Sequence, residues 1–369
     1  MNANDAIYIA VLPGDGIGRE VMEPCLEILN ALTGLLGGIR FRFEQQEAGA
    51  IQYRDTGVAL PQAALAAARS ADAILLGAMG WPEIRYPDGT EIVPQIDLRG
   101  ELDLYAGVRP VRTLPNLPSV LADPRARQLD FVIIRESTEG LFASRGKGEM
   151  IGDREARDTM VITRKVSESL FDFAFGLARA RKQNGGKGVV TCVDKANVFA
   201  SFAFFRKIFD QRAALNPDIG TNRAYVDAMA LYMVRKPWEL DVLVTENMFG
   251  DILSDLGAGL MGGLGFAPSA DIGDDHAVFQ PCHGTAPDIA GQGKANPTAM
   301  VLSAGMMLEW LGEKHGRSDL SAAGHVIRKA VDRAYANGLQ PIESGGKAGT
   351  RAIGQAVLDA LPQVAREAV

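Results

Sequence analysis

The chain has 369 residues, 47% of them hydrophobic and 22% charged, with a net charge of −7. That size and composition suit a globular enzyme of two domains with a substantial core. The acidic balance excludes a nucleic-acid or anionic-membrane partner as an expectation, while a few local arginines can still bind an acidic small molecule.

No basic segment followed by an apolar run opens the chain, and no apolar stretch approaches about 18 residues. A soluble, untargeted, cytoplasmic protein is expected. Cys25, Cys192 and Cys282 are odd in number, far apart and without a CxxC pair. They read as reduced packing residues in a reducing compartment.

In chain order, Ile7 to Leu12 reads as a strand, and Arg19 to Leu32 as a helix. Between them Pro13-Gly14-Asp15-Gly16-Ile17-Gly18 sits where a dinucleotide fingerprint would, but the third glycine is displaced, because Arg19 occupies its place. The stretch is read as a tight turn with unusual backbone angles, a cofactor role being secondary. An Ala-rich helix, Pro61 to Arg69, precedes a strand over Ala71 to Leu76. A loop, Glu91 to Leu98, leads to Arg99. Arg99, Arg109 and Arg135 all lie beside apolar segments, where a guanidinium either grips a carboxylate or forms a structural ion pair.

Phe131 to Ile134, Val189 to Val193 and Val242 to Thr245 read as further buried strands. Helical patterns follow Ser167, Val198, Ala224 and Thr298. Alternation of this kind predicts an α/β architecture with helices on a mostly parallel sheet, and ligand groups on loops at strand ends. From Phe142 to Thr163 the pattern weakens; the segment reads as either a disordered loop or an arm packing on another subunit.

Lys195 follows a buried strand and is read as a base, a phosphate ligand or an ion-pair partner of Asp194. Asp227 stands on an apolar helical pattern and needs a partner if buried. In Gly250-Asp251-Ile252-Leu253-Ser254-Asp255 the two aspartates are four apart and share a helix face just beyond a buried strand. Such oxygen ligands suit magnesium or manganese; the alternative is a solvated acidic face. Gly257-Ala-Gly259-Leu-Met-Gly262 matches GxGxxG in the wrong context, and reads as a loop or as close helix packing. No Gly-x-Ser-x-Gly elbow, P-loop or paired histidine site is present.

Taken together, Leu12 to Gly18, Asn247-Met-Phe-Gly-Asp-Ile-Leu-Ser-Asp255, His283-Gly-Thr-Ala-Pro-Asp-Ile-Ala-Gly291 and Gly345 to Thr350 resemble the metal-dependent β-decarboxylating dehydrogenases. That family includes the 3-isopropylmalate, isocitrate, homoisocitrate and tartrate/malate enzymes. The resemblance implies a two-domain isopropylmalate dehydrogenase-like α/β fold with a mostly parallel sheet, not a true Rossmann fold. It implies a discontinuous cofactor domain, residues 1–106 plus 265–369, and a metal and dimerisation domain, 107–264, with an arm at 142–163.

It further implies that Asp227, Asp251 and Asp255 hold Mg2+ or Mn2+, and that Arg99, Arg109 and Arg135 bind substrate carboxylates. Lys195 and Asp227 are the catalytic residues, entering from the partner of a homodimer. NAD would lie against His283, Gly284, Thr285, Ala286, Asp288, Ile289 and Asn296, with Asp288 accepting from free ribose hydroxyls and repelling a 2′-phosphate. Near Arg99, Val93 and Gln95 stand where isocitrate enzymes carry serine and asparagine. Ile92, Val93 and Ile96 suggest an isopropyl pocket, which favours 3-isopropylmalate or a close alkylmalate. Glu91 and Gln95 favour tartrate or D-malate instead.

One position departs from the pattern. Relatives carry a tyrosine, the acid that protonates carbon, where this chain has Phe142. Water, Tyr105 or Ser144 would have to replace it, or the reaction stops at oxidation, or the chain is a catalytically weak binding or regulatory relative.

Overall fold

The computed structural model describes residues 6–368. Residues 1–5 and 369, part of the expected cofactor domain, lie outside the described residues. The first half of the chain runs β1 (Ile7–Gly14), α1 (Ile17–Leu36), β2 (Phe41–Gln45), α2 (Ala50–Thr56), α3 (Gln62–Ser70), β3 (Ala73–Ala78), α4 (Pro94–Glu101), β4 (Ala106–Arg112) and β5 (Asp130–Glu136). A hairpin follows, β6 (Glu149–Ile151) and β7 (Glu155–Arg157), then α5 (Arg164–Gln183), β8 (Val189–Asp194), α6 (Ala200–Ala214), β9 (Gly220–Tyr225) and α7 (Val226–Arg235). The last part holds β10 (Val242–Thr245), α8 (Asn247–Met261), β11 (Pro268–Ile272), β12 (Ala277–Pro281), α9 (Thr298–His315), α10 (Ser318–Ala336) and α11 (Thr350–Ala368).

Ten strands form one sheet in the order β2-β1-β3-β12-β11-β4-β5-β10-β8-β9. Both flanks are parallel. The centre is antiparallel, through β11 with β12, β11 with β4, and β4 with β5. β1, β3, β10, β11 and β12 are buried along their whole length, as strands covered on both faces must be. The flank β2-β1-β3-β12-β11 is built from both chain ends, and the flank β4-β5-β10-β8-β9 from the middle.

The glycine turn after β1 is as tight as its composition requires. Gly14 and Gly16 have φ of 73° and 53°, and a Cβ on Gly16 would stand 2.1 Å from the Thr285 carbonyl oxygen. Asp15 is buried, and its carboxylate accepts from the Ala50, Ile51 and Gly80 amides, so it caps α2 from another part of the chain. The later glycine match is helical: Gly257 and Gly259 lie within α8, and Gly262 is its left-handed cap. A Cβ on Gly257 would meet Val111 Cγ2 at 2.6 Å, so its use is close packing of α8 on β4.

Two expectations are corrected. The stretch before Arg99 is a loop only to Val93; Pro94 opens α4 at the first helical position, where its missing N–H costs nothing. Residues 142–163 form no structureless loop: a 3-10 turn, Leu141–Ser144, leads into the β6–β7 hairpin, whose residues are all exposed.

α8 approaches β5 over Gly250, where a Cβ would lie 2.6 Å from both Cβ and Cγ of Arg135. Gly250→Ala gains up to about 1 kcal/mol of helix propensity but overpacks by about 1–3 kcal/mol. The clash wins, and a lowered denaturant midpoint in equilibrium unfolding is the expected result; an unchanged or raised midpoint would show that α8 does not need this contact.

Candidate active site

Register across the central strands sets out the site. Asp271 on β11 lies opposite Gly107 on β4, which lies opposite Arg135 on β5, which pairs with Thr245 on β10. Side chains in one such row share a face. Gly107 leaves that face open; a Cβ there would stand 2.6 Å from Ser137 Oγ and 3.1 Å from Asp271 Oδ1. Arg109, two residues along β4, points to the same side, and α4 brings Arg99 from above.

The cleft holds about 160 Å3 and is lined by Arg99, Arg109, Arg135, Gln95, Asp251, Ser254, Asp255, Cys282, His283 and Gly284, with backbone from Gly77 to Met79. All three arginines are buried. Arg99 Nε donates to Asp271 Oδ2 at 3.1 Å and Arg109 Nη2 to Asp271 Oδ1 at 3.0 Å. Arg109 Nη1 donates to the Ala270 carbonyl at 2.9 Å. Arg135 Nε donates to Asn247 Oδ1 at 2.9 Å, and its Nη1 pairs with Asp251. Burial, then repulsion from Arg99, depresses Arg135 to about 10. Burial opposes the charge on Asp271, but Arg109, Arg99 and Arg135 overcome it and hold the carboxyl far below its usual range.

Asp251 and Asp255 lie one turn apart near the start of α8, and both face the cleft. Desolvation, then the charge of Asp251, raises the Asp255 carboxyl. Two carboxylates on one face of a helix turn, aimed into one cleft, form a donor pair matched to a hard cation. They are only two. Among the described residues no group of three His, Cys, Asp or Glu side chains gathers anywhere.

Lys195 and Asp227 are not in this cleft. Lys195 Nζ donates to Asp227 Oδ1 at 2.6 Å, and the Asp227 side chain is two-thirds exposed. The Lys195 hydrogen bond lowers the Asp227 carboxyl. Two readings are thereby corrected. Asp194 is not the partner of Lys195, because it is buried and taken bidentately by Arg206 at 2.7 Å. Asp227 is not a buried acid in search of a partner, because it is exposed and already has one.

Around the expected cofactor loop, Glu20 accepts from the Gly291 and Ala295 amides and from Thr350 Oγ1, and the Thr285 carbonyl accepts from the Ile17 amide. These bonds order 283–296 against the start of α1. Gly284 and Asp288 are exposed, Ala286 and Ile289 half-buried. Ala286 has a positive φ of 37°. The Asn296 amide is held by Glu343 and its oxygen by the Thr298 amide, so what this position offers a ligand is its backbone. Burial lowers the His283 imidazole, keeping it neutral near pH 7. Two buried polar atoms of the cleft, His283 Nε2 and Gln95 Oε1, have no partner among the described residues. Buried polar atoms need one, and a ligand seated here would supply it.

Gln95 lines the cleft, whereas Ile96 is half-buried beside it without lining it. Ile92 is turned away entirely, into a small cluster with Ala50 and Ala59. Ile92 is thus removed from the expected isopropyl pocket of Ile92, Val93 and Ile96, because the start of α4 points it at α2. Neither expected substitute for the missing tyrosine reaches the cleft. Tyr105 donates to Asp274 at 2.8 Å in a separate hollow, and Ser144 donates to the Thr159 carbonyl. The Phe142 ring lies against the Arg135 guanidinium, 5.1 Å from its centroid. Sequence reasoning missed Asp271, Gln280, Asn247, Glu20 and Glu343. None belongs to a local motif except Asn247, which opens the Asn247 to Asp255 run.

The comparisons follow this geometry. The family model described as isocitrate/isopropylmalate dehydrogenase matches residues 8–357. The chain belongs to the isocitrate/isopropylmalate dehydrogenase family. It is 43% identical to a 3-isopropylmalate/3-methylmalate dehydrogenase of Methanocaldococcus jannaschii over 93% of this chain and 95% of that one. It is 42% identical to a 3-isopropylmalate dehydrogenase of Methanothermobacter thermautotrophicus over 94% and 95%. Among solved structures it is similar to an isocitrate dehydrogenase from Methylococcus capsulatus, with a TM-score of 0.85 and 35% identity over 97% of this chain and all of that one. A β-decarboxylating dehydrogenase from Thermococcus kodakarensis gives 0.78 and 35%, over 97% and 96%. The reaction class is thus that of a decarboxylating dehydrogenase acting on a CH–OH group, on the mixed α/β fold of this dehydrogenase family. Among the described residues no helix is long and apolar enough to cross a membrane.

Proposed function

We propose that the chain catalyses NAD-dependent oxidation and decarboxylation of a 2-hydroxy diacid, 3-isopropylmalate or a close 3-alkylmalate, with Mg2+ or Mn2+. The observation that carries this is the convergence of three buried arginines with an i, i+4 pair of aspartates in one small cleft. Guanidinia take planar carboxylates, and the aspartates take a hard cation, so one molecule bearing both carboxylates and a hydroxyl fits both walls. The names of the 43% and 42% identical relatives support the alkylmalate. A smaller, hydroxylated diacid of the tartrate or D-malate kind is the second reading, favoured by Gln95 in the cleft and Ile92 turned out of it.

The site is completed by a second copy. Lys195 and Asp227 lie outside their own cleft and pair with each other, and Asp227 shares a face of α7 with exposed Leu231 and Val234. An apolar helix face of this kind calls for a partner. In the homodimer, Asp227 of one copy joins Asp251 and Asp255 of the other at the cation, and Lys195 moves the hydroxyl proton. The segment 142–163, with its exposed hairpin, is the interlocking arm. Residues 1–106 with 265–369, and 107–264, are the two lobes, supported by the division of the sheet between chain ends and middle. The working compartment is the cytoplasm.

Within this reading the free edges of Arg99, Arg109 and Arg135 orient the carboxylates. Lys195 would relay the hydroxyl proton, giving up one of its own protons to solvent before it accepts that of the hydroxyl. His283 and the 284–289 loop would hold NAD, which when bound would supply the hydride acceptor. The cation supplies stabilisation of the negative charge that builds on oxygen as CO2 leaves.

A panel of 3-isopropylmalate, 3-methylmalate, D-malate, tartrate and isocitrate with NAD and Mn2+ tests the substrate. Highest kcat/KM on the alkylmalates, abolished by EDTA and restored by Mn2+, is expected. Highest activity on tartrate or D-malate selects the second reading. Background turnover on every diacid, with binding retained, assigns a binding role instead.

Asp288→Lys should shift the NADP-to-NAD ratio of kcat/KM upward about tenfold or more, by replacing repulsion of a 2′-phosphate with attraction. An unmoved ratio ends the assignment of this residue to the ribose. Phe142→Tyr returns a phenol beside Arg135. A general acid there should raise the rate of CO2 release from added 2-keto diacid, relative to the rate of hydroxy-diacid oxidation, about tenfold or more. A fixed ratio of the two rates would show that protonation at carbon does not pass through this position.

A further inference from the structure

We infer that Asp271 is the positioning residue of the substrate wall, setting the pose of Arg99 and Arg109, and that Gln280 ties it to the strand that carries the cofactor loop. The inference rests on the diacid reading above and names the group that makes the arginines a site.

Asp271 is buried and takes four donors. Arg99 Nε at 3.1 Å and Gln280 Nε2 at 2.7 Å reach Oδ2. Arg109 Nη2 at 3.0 Å and Ser137 Oγ at 3.3 Å reach Oδ1. A carboxylate has about four acceptor positions, so none is left for substrate, and Asp271 acts only through its neighbours. Arg99 spends Nε alone, and no hydrogen bond from its two Nη atoms to protein exists among the described residues; they remain for a ligand's carboxylate. Arg109 is fixed from behind by Asp271 and by the Val108 and Ala270 carbonyls.

Three guanidinia in one buried wall repel one another, and a long arginine side chain has many other poses. Asp271 cancels one of the three charges and holds two of the planes. Gly107, bare opposite it, makes the space. Gln280 lies on β12, three residues before His283, so its bond to Asp271 joins the grip on substrate to the root of the 283–296 loop.

An amide in place of Asp271 would turn a donor toward the arginines or give up the Gln280 bond. Either way the guanidinia lose their anchor and swing toward Asp251, Asp255 or solvent. The added positive charge would favour diacid binding, but a charge that is no longer aimed loses its paired hydrogen bonds. Exchanging the two groups, Asp271→Asn with Gln280→Glu, keeps one carboxylate and one amide across the same strand pair and restores the balance.

The experiment is steady-state kinetics on the dimeric, metal-loaded enzyme, with the best diacid of the panel. Turnover by the natural chain tests the diacid reading first, separately from this inference. Asp271→Asn should raise KM for the diacid about tenfold or more, with kcat within about threefold, the pattern of lost uniform binding. The double exchange should bring KM back to within about threefold of the natural chain. A single variant with unchanged or lowered KM overturns the inference. So does a folded double variant whose KM remains as high as, or higher than, that of the single variant. If the single variant does not fold, the double decides alone: near-natural KM supports the inference, and KM raised about tenfold or more overturns it.

Discussion

Like charges buried together need a buried counter-charge, and this constraint organises the molecule. Arg99, Arg109 and Arg135 come from a helix and two strands and are almost fully withdrawn from water. An unpaired buried guanidinium costs several kcal/mol, far more than a surface pair returns. Each is therefore held by a partner chosen for geometry: Asp271 for two of them, Asn247 and Asp251 for the third. The central strands run antiparallel, so that Asp271, Gly107 and Arg135 fall in one row. α8 must come close enough over Gly250 for Asn247 to reach Arg135. The acidic turn of α8 then faces the arginines across the cleft.

The same economy explains the second surface. Lys195 and Asp227 satisfy each other in the open, at small cost, until another group competes for them. Nearby, α7 presents Leu231 and Val234 outward while Met229 and Met233 fill the core. A helix apolar on both sides is unusual for a free surface. The Lys195–Asp227 pair and this apolar face therefore adjoin one another, apart from the cleft of the same chain.

Much of this was legible in the sequence where the signal is local. β1, β5, β8 and β10 are continuous apolar runs, and their buried patterns match. The Gly14 to Gly18 turn declared itself by glycine spacing, and the Asp251 and Asp255 pair by helical periodicity. What stayed hidden is long-range. Asp271 and Gln280 are ordinary polar residues on short strands, and nothing in Pro268–Ile272 tells of arginines 162 and 172 residues away. The direction of Ile92 depended on where α4 begins, which Pro94 marks but the hydrophobic pattern masks. Lys195 beside Asp194 in sequence suggested a pair; the strand's alternation sends Asp194 inward to Arg206 and leaves Lys195 outside.

One consequence of the unbroken sheet concerns how the molecule moves. The two halves of the sheet are not two bodies on a string, because every strand from β2 to β9 is bonded to its neighbour. Closure on a ligand would have to bend the sheet at its midpoint, where β11 meets β4 and Asp271 is bonded to Arg99 and Arg109. Displacement then grows with distance from that midpoint. In such a bend the outer strands would travel furthest and the guanidinium wall least, so the grip on a ligand would keep its aim.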